Sequence, residues 1–158
     1  MKTSTSLTNV SFDFLKGSNE FLNLVLNNIQ TCVLLLDSNL NLKAFNDPLK
    51  SIFSHKKDED LLYRRCGEAI GCAHQVEEQK NCGSTTKCNN CELRISALKS
   101  YIDNRIIYMD YITRPFFNFK NQKVEKLLRF STRLFYHEQE KYIIMIIEDI
   151  TGMSPTRS

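Results

Sequence analysis

Hydrophobic and polar positions divide the chain into short segments with different periods. Phe21, Leu22, Val25, Leu26 and Ile29 recur at spacings of three and four behind Ser18. That pattern predicts an amphipathic helix from Ser18 to about Ile29, with Ser18 as N-cap. Thr31 to Leu36 is β-branched and apolar, Asp37-Ser38-Asn39 is a turn signal, and Leu40 to Phe45 alternates. A β-hairpin follows from this. Asp47 and Pro48 open a short helix whose apolar face is Leu49, Ile52 and Phe53.

From Ser54 to Asn90 no period persists, and Lys, Asp, Glu, Gly, Asn and Cys dominate. So long a stretch without regular structure marks a functional insertion, or a loop held by something other than apolar packing. A helix is expected from about Asn90 to Ser100, with Leu93, Ala97, Ile95 and Leu98 turned inward. The last third reads as three strands. Arg105 to Lys120 is long and aromatic, with Pro115 suggesting an edge position or a bulge. Val124 to Phe135 returns after Asn121-Gln122. Tyr142 to Asp149, after a turn at His137 to Glu140, is apolar enough to lie centrally, covered on at least one face. The aromatic residues Tyr108, Tyr111, Phe116, Phe117 and Phe119 are expected in the core.

The order predicts an α+β fold: a five-stranded antiparallel sheet with helices on one face and a cysteine-rich insertion at 54–90. With 158 residues there is room for one domain, placed at 18–152, between a flexible leader at 1–17 and a polar tail at 153–158. At 42% hydrophobic and 25% charged the composition is that of a globular protein. The net charge of +3 comes from interleaved acids and bases and gives no reason to expect nucleic acid. No apolar run reaches the length of a membrane span, and Met1 to Val10 has no secretory character. The expected location is cytoplasmic.

The cysteines carry most of the chemical information. Five of the six, Cys66, Cys72, Cys82, Cys88 and Cys91, fall within 26 residues. In a reducing compartment such a group points to a metal or redox site before a disulfide framework. Cys72, Cys82, Cys88 and Cys91 are separated by nine, five and two residues. The closing Cys-x-x-Cys presents two thiols from one turn, at the start of a helix whose N–H groups favour anionic sulfur. Gly67, Gly71 and Gly83 let the loop converge its ligands. Four thiolates suit a zinc ion or an iron–sulfur cluster, and ligand count does not separate the two. A reversible disulfide and inert thiols are the competing readings. Cys32, within an apolar strand, reads as a small core residue. Cys66 is a substitute ligand, a resolving thiol or a residue with no role, and the last is favoured. His74 is a candidate additional ligand, or a group bonded to one. His55 and His137 lie in charged loops and are expected in solvent.

The element order, together with the closing Ile147-Glu148-Asp149-Ile150-Thr151, resembles a PAS domain over about Ser18 to Gly152. The run Gly67-Glu68-Ala69-Ile70-Gly71-Cys72-Ala73-His74, then Cys82-Gly83, then Cys88-Asn89-Asn90-Cys91 is similar to the insertion of a cysteine-rich bacterial PAS subset. One position departs: Cys66 stands where those relatives typically have proline. The resemblance implies a sensory module, redox- or oxygen-sensing, that is not an enzyme. It also implies a signalling partner protein and a homodimer through the N-terminal helix at Phe21, Leu22 and Val25. Iron–sulfur is slightly preferred over zinc, because no other switch is visible. A protein-interaction module with a purely structural zinc site is the alternative. No kinase, cyclase or DNA-binding segment is present, so output is expected to pass to another chain or domain. A thiol oxidoreductase using Cys88 and Cys91 ranks last, since the context is antiparallel where such a pair expects βαβ. Phosphate-binding loops, the Gly-x-Ser-x-Gly elbow and the His-Glu-x-x-His helix are absent. So is the Asn-Cys-Arg-Phe-Leu-Gln segment of flavin-bonding PAS photoreceptors. No histidine has a clear claim as a haem ligand.

Overall fold

A computed structural model describes residues 18–80, 82, 85 and 91–152; the leader, the tail, Cys88 and part of the loop before Cys91 lie outside the described residues. The strands β1 (Cys32–Leu36), β2 (Leu42–Phe45), β3 (Ile107–Phe117), β4 (Lys123–His137) and β5 (Glu140–Asp149) form one antiparallel sheet in the order β2-β1-β5-β4-β3. The expected α+β architecture is what the chain adopts. The most apolar strand, β5, is central, and Pro115 sits in edge strand β3, where a missing N–H breaks no second ladder.

Local chemistry explains the turns. The Asp37 carboxylate accepts from the Asn39 and Asn41 N–H groups, both at 2.9 Å, closing the link between β1 and β2. Glu138 and Gln139 both have positive φ, 49° and 70°, the pairing that matches the twist of a tight β4–β5 hairpin.

Alternate residues of the strands face the core. Cys32, Leu34 and Leu36, then Leu128 and Phe130, then Ile143, Met145 and Ile147 are buried, and α5 (Glu92–Asp103) lies across β3, β4 and β5. Beneath α5, Thr132 Oγ1 donates to the Ser96 carbonyl at 3.0 Å and lies 2.7 Å from Ser100 Oγ. The buried stripe of α5 is therefore Leu93, Ser96, Ala97 and Ser100; Ile95 and Leu98 are only partly covered. Serines replace larger apolar groups where helix and sheet approach closely.

Three expectations need correction. The 54–90 segment is not without regular structure: it holds α3 (Cys66–Ile70) and α4 (Ala73–Glu78), too short for hydrophobic periodicity to register. Only Phe116 of the five aromatics is fully in the core; Phe117 is partly covered, and Tyr108, Tyr111 and Phe119 are exposed. A bulge between Met109 and Ile112 breaks the alternation on which that expectation rested. His55 is not solvated as expected: its ring lies 6.1 Å from that of Phe117, and its Nδ1 is buried without a partner. His137 is exposed, as expected.

The first helix, α1 (Asn19–Asn28), is capped by Ser18, whose hydroxyl accepts from the Phe21 N–H at 3.2 Å. None of its residues is buried, and Leu22, Leu24 and Val25 are exposed. α2 (Pro48–Ile52) contributes Leu49 to the core, with Phe53 just beyond it.

Candidate functional site

Four cysteines from separate parts of the chain converge at one end of the core. Cys66, Cys72, Cys82 and Cys91 line a cavity of about 30 Å³, with Gly67, Arg114, Phe116 and Met145 among the other walls. That is room for a water or two, or one ion. Each sulfur has an identifiable local cause. Cys66 begins α3, and its N–H donates to the Leu40 carbonyl at 2.9 Å, which ties the helix to the start of β2. Gly71 ends α3 with φ of 74°, a left-handed turn that suits glycine. That turn lays Cys72 along the free edge of β3, paired with Phe116, while the Phe117 N–H donates to the Gly71 carbonyl at 2.9 Å. Cys82 is held from both sides. Arg65 donates to its carbonyl at 2.8 Å, and the Gly67 N–H donates to its sulfur at 3.2 Å. Cys91 is the N-cap of α5.

The approach at Gly67 is close. A Cβ there would lie 2.8 Å from Cys82 Sγ and 3.2 Å from Cys82 Cβ. Only glycine brings the α3 backbone this near to the sulfur.

The electrostatics are mixed. Burial, reinforced by the neighbouring Cys82, Cys91, Cys32 and Cys72, pushes the Cys66 thiol well above its ordinary pKa. Burial also raises Cys91, but Arg114 and the N–H groups of Arg94 and Leu93 at the start of α5 pull it partly back. Arg114 occupies an inward position of β3 between Ile112 and Phe116, and it is 8% exposed. One guanidinium nitrogen meets Glu92 Oε1 at 3.1 Å; the other points to Cys72 Sγ at 4.0 Å. Burial works against its charge, and Cys91, Cys72 and Glu92 more than restore it.

Of the four cysteines expected to act together, Cys72, Cys82 and Cys91 share this cavity, and Cys88 lies outside the described residues. Cys66, favoured as having no role, is a fourth wall of the same cavity. Its place in the cavity wall arises from the α3 anchor at Leu40, which leaves no spacing signal in the sequence. Arg114 went unnoticed for a similar reason: one charged residue in an alternating strand looks like a solvent position. His74 lies on α4, half-buried, outside the cavity lining. Cys32 is in the core at 0% exposure, with its thiol pushed up to about 12 by burial.

The donor set suits a soft metal: several thiols, otherwise largely apolar walls, and the Arg114 cation nearby. Among the described residues, however, no three His, Cys, Asp or Glu side chains stand in a coordinating arrangement. The fit is one of donor chemistry and convergence.

No family model and no curated protein matches the sequence. Solved structures do. The PAS domain of nitrogen regulation protein NR(II) from Vibrio parahaemolyticus superposes with a TM-score of 0.57, over 82% of this chain and 97% of that one, at 13% identity. The chain has a PAS fold. The PAS domain of BvgS from Bordetella pertussis aligns at TM-score 0.53 and 16% identity, covering 84% of this chain and 85% of that one. The LOV protein of Rhodobacter sphaeroides aligns at 0.52 and 12% identity, over 86% and 68%. In this PAS fold the thiol cavity lies between the helices α3 and α5 and the inner face of the sheet. No described helix is long and apolar enough to cross a membrane.

Proposed function

We propose that the chain is a cytoplasmic sensory module that holds an inorganic centre, an iron–sulfur cluster or a zinc ion, in its cysteine cavity and reports to a signalling partner protein. The observation that carries this reading is the meeting of Cys66, Cys72, Cys82 and Cys91 in one buried cavity beside Arg114. Two of the PAS-fold neighbours are the PAS domains of a nitrogen regulation protein and of a two-component sensor histidine kinase, so the fold is at home in signalling. Cys72, Cys82 and Cys91 would hold the group, with Cys88 or Cys66 as the fourth ligand. Zinc would fit the cavity of about 30 Å³ as it stands and supply a structural crosslink; an iron–sulfur cluster, larger than one ion, would need the cavity walls to part and would supply a redox-active, oxygen-sensitive centre.

The chain's own residues make the cavity a useful reporter. Cys72 is hydrogen-bonded into the edge of β3 through its neighbour Gly71, and Cys91 caps α5. A change at the sulfurs therefore bears directly on a strand and on the helix that packs across the sheet. Such packed elements shift between discrete arrangements. Phe21, Leu22 and Val25 on α1 are the proposed homodimer contacts.

A metal-free thiol switch is the second reading, favoured by the absence of a coordinating trio among the described residues. The experiment is purification of the full chain without oxygen, a visible spectrum, and iron and zinc counts, repeated with Cys72→Ser and Cys82→Ser. Stoichiometric metal lost in both variants supports the first reading. A folded, metal-free chain that forms a reversible disulfide supports the second.

A further inference from the structure

We propose that a polar pocket beside the thiol cavity, between Arg65 and Arg94, is an oxyanion site that takes the phosphate or carboxylate group of a small ligand. The site is independent of what the sulfurs hold.

Two elements supply the cations. Arg65 is the N-cap of α3, and Arg94 lies in the first turn of α5. Both are half-buried, and both line a pocket of about 130 Å³, against about 30 Å³ for the thiol cavity. That is room for a group of several heavy atoms, where the thiol cavity admits a water or two. Ser38 and Asn39, from the turn between β1 and β2, line it as well, and these residue types bring further hydrogen-bond donors.

The charge of the pocket is unbalanced. No acidic residue lines it, and neither arginine has a carboxylate within 4.0 Å among the described residues. Their counterparts elsewhere do: Arg64 meets Glu59 at 3.0 Å, and Arg114 meets Glu92 at 3.1 Å. Asp37, the acid next to Ser38, is engaged with the Asn39 and Asn41 N–H groups, both at 2.9 Å. Residues 81–90 include no acidic residue and add Lys87. Two like charges held at one pocket repel unless an anion lies between them. Arg65 gives one N–H to the Cys82 carbonyl, at 2.8 Å. A guanidinium carries five such donors in a planar fork, a shape that matches two oxygens of a phosphate or carboxylate. Leu40, Cys82 and Arg94 line the thiol cavity too. An oxyanion held here would tie the start of α3 to the first turn of α5 across that shared wall, so a small anionic ligand would bear on the same two helices as the sulfurs.

The test uses the full chain, reduced, in wild-type, Arg94→Gln and Lys57→Gln forms at constant ionic strength. Inorganic phosphate, glycerol phosphate and succinate are each titrated by calorimetry. Lys57 stands over the exposed Phe119 ring, 4.4 Å from its centroid, and controls for loose binding at surface cations. At least one probe is expected to bind at one site per chain with millimolar or tighter affinity. Arg94→Gln should weaken it about tenfold, the loss of one charge-assisted hydrogen bond, and Lys57→Gln should bind as wild-type does. Binding of the two phosphates alone supports the site and makes its ligand a phosphate compound; binding of succinate alone supports it and makes the ligand a carboxylate. No binding of any probe overturns the proposal, as does Arg94→Gln protein that binds as tightly as wild-type. Should Arg94→Gln fail to fold, modification of wild-type arginines by phenylglyoxal, resolved by peptide mass spectrometry, decides. A bound probe should protect Arg65 and Arg94 and leave the exposed Arg105 and Arg133 reacting at their unliganded rates. Equal protection of all four, or of none, overturns the site.

Discussion

Gly67→Ala is the most informative single change, because two effects of known sign oppose each other at one atom. Gly67 lies within α3 and is not among the positive-φ residues, so alanine suits the backbone. In a helix the substitution ordinarily stabilises by about 0.5–1 kcal/mol. Here the new methyl group would meet Cys82 Sγ at 2.8 Å and Cys82 Cβ at 3.2 Å, with Cys72 Cβ at 3.6 Å. Non-bonded contacts settle near 3.5–4.0 Å, so Cys82 has to move by roughly 1 Å. It is not free to do so cheaply, since Arg65 holds its carbonyl at 2.8 Å. Overpacking of this kind costs about 1–3 kcal/mol. The balance is a loss of about 0–2.5 kcal/mol. At 1 kcal/mol the midpoint of thermal unfolding falls by about 2–4 °C in a chain of this size. Displacing the sulfur also lengthens the Gly67 N–H to Cys82 hydrogen bond, so alkylation of Cys82 should change while that of Cys32 does not. Urea unfolding and peptide-resolved alkylation measure both quantities. A Gly67→Ala protein stabilised by the full helix-propensity gain, with Cys82 reacting at the wild-type rate, would show that the sulfur does not pack against α3, and the described cavity would be wrong.

Two further predictions come from the core. Thr132→Val removes the acceptor of the Ser100 hydroxyl and the donor to the Ser96 carbonyl beneath α5. Ser100 can turn back to the Ser96 carbonyl one helical turn away, which limits the loss to about 1–2 kcal/mol in urea unfolding; an unchanged midpoint contradicts the buried pairing. Cys32 supplies a pH signature. Its folded pKa is raised from 9.0 to about 12, so the folded state keeps a proton that the unfolded chain releases. Stability is then fully present below about pH 9 and falls as pH rises toward 12, at up to about 1.4 kcal/mol per pH unit for this one thiol. Cys32→Ala should make the alkaline slope shallower, with buried Cys66 and Cys91 keeping their own share, while lowering stability near neutrality; an identical slope in the variant would place the loss elsewhere.

The sheet was legible in the sequence because its periods are long and simple. The run Ile143 to Ile147 announced a central strand, and Pro115 suggested an edge position or a bulge, of which the edge is what β3 occupies. The cysteine segment was legible only in composition. α3 and α4 are five and six residues long, shorter than two turns, so no apolar stripe can develop, and their ends are fixed by contacts to Leu40 and Phe117 far away in sequence. The same non-local anchoring put Cys66 into the cavity wall, although its spacing matched no ligand pattern. Arg114 was not read as a site residue at all: its type argues for the solvent side, and the bulge between Met109 and Ile112 breaks the alternation that would have placed it inward. The apolar stripe of α1 correctly gave a helix from Ser18, yet none of that helix is buried, because periodicity identifies a face and not what the face meets.

Metal-edge X-ray absorption on the full chain, isolated without oxygen, tests the central claim most directly. The account predicts iron or zinc at one centre per chain, with a first shell of sulfur at about 2.3 Å for zinc and a shell of thiolate and inorganic sulfur for an iron–sulfur cluster. A chain that is folded and carries neither metal, or a metal surrounded by nitrogen and oxygen alone, contradicts it.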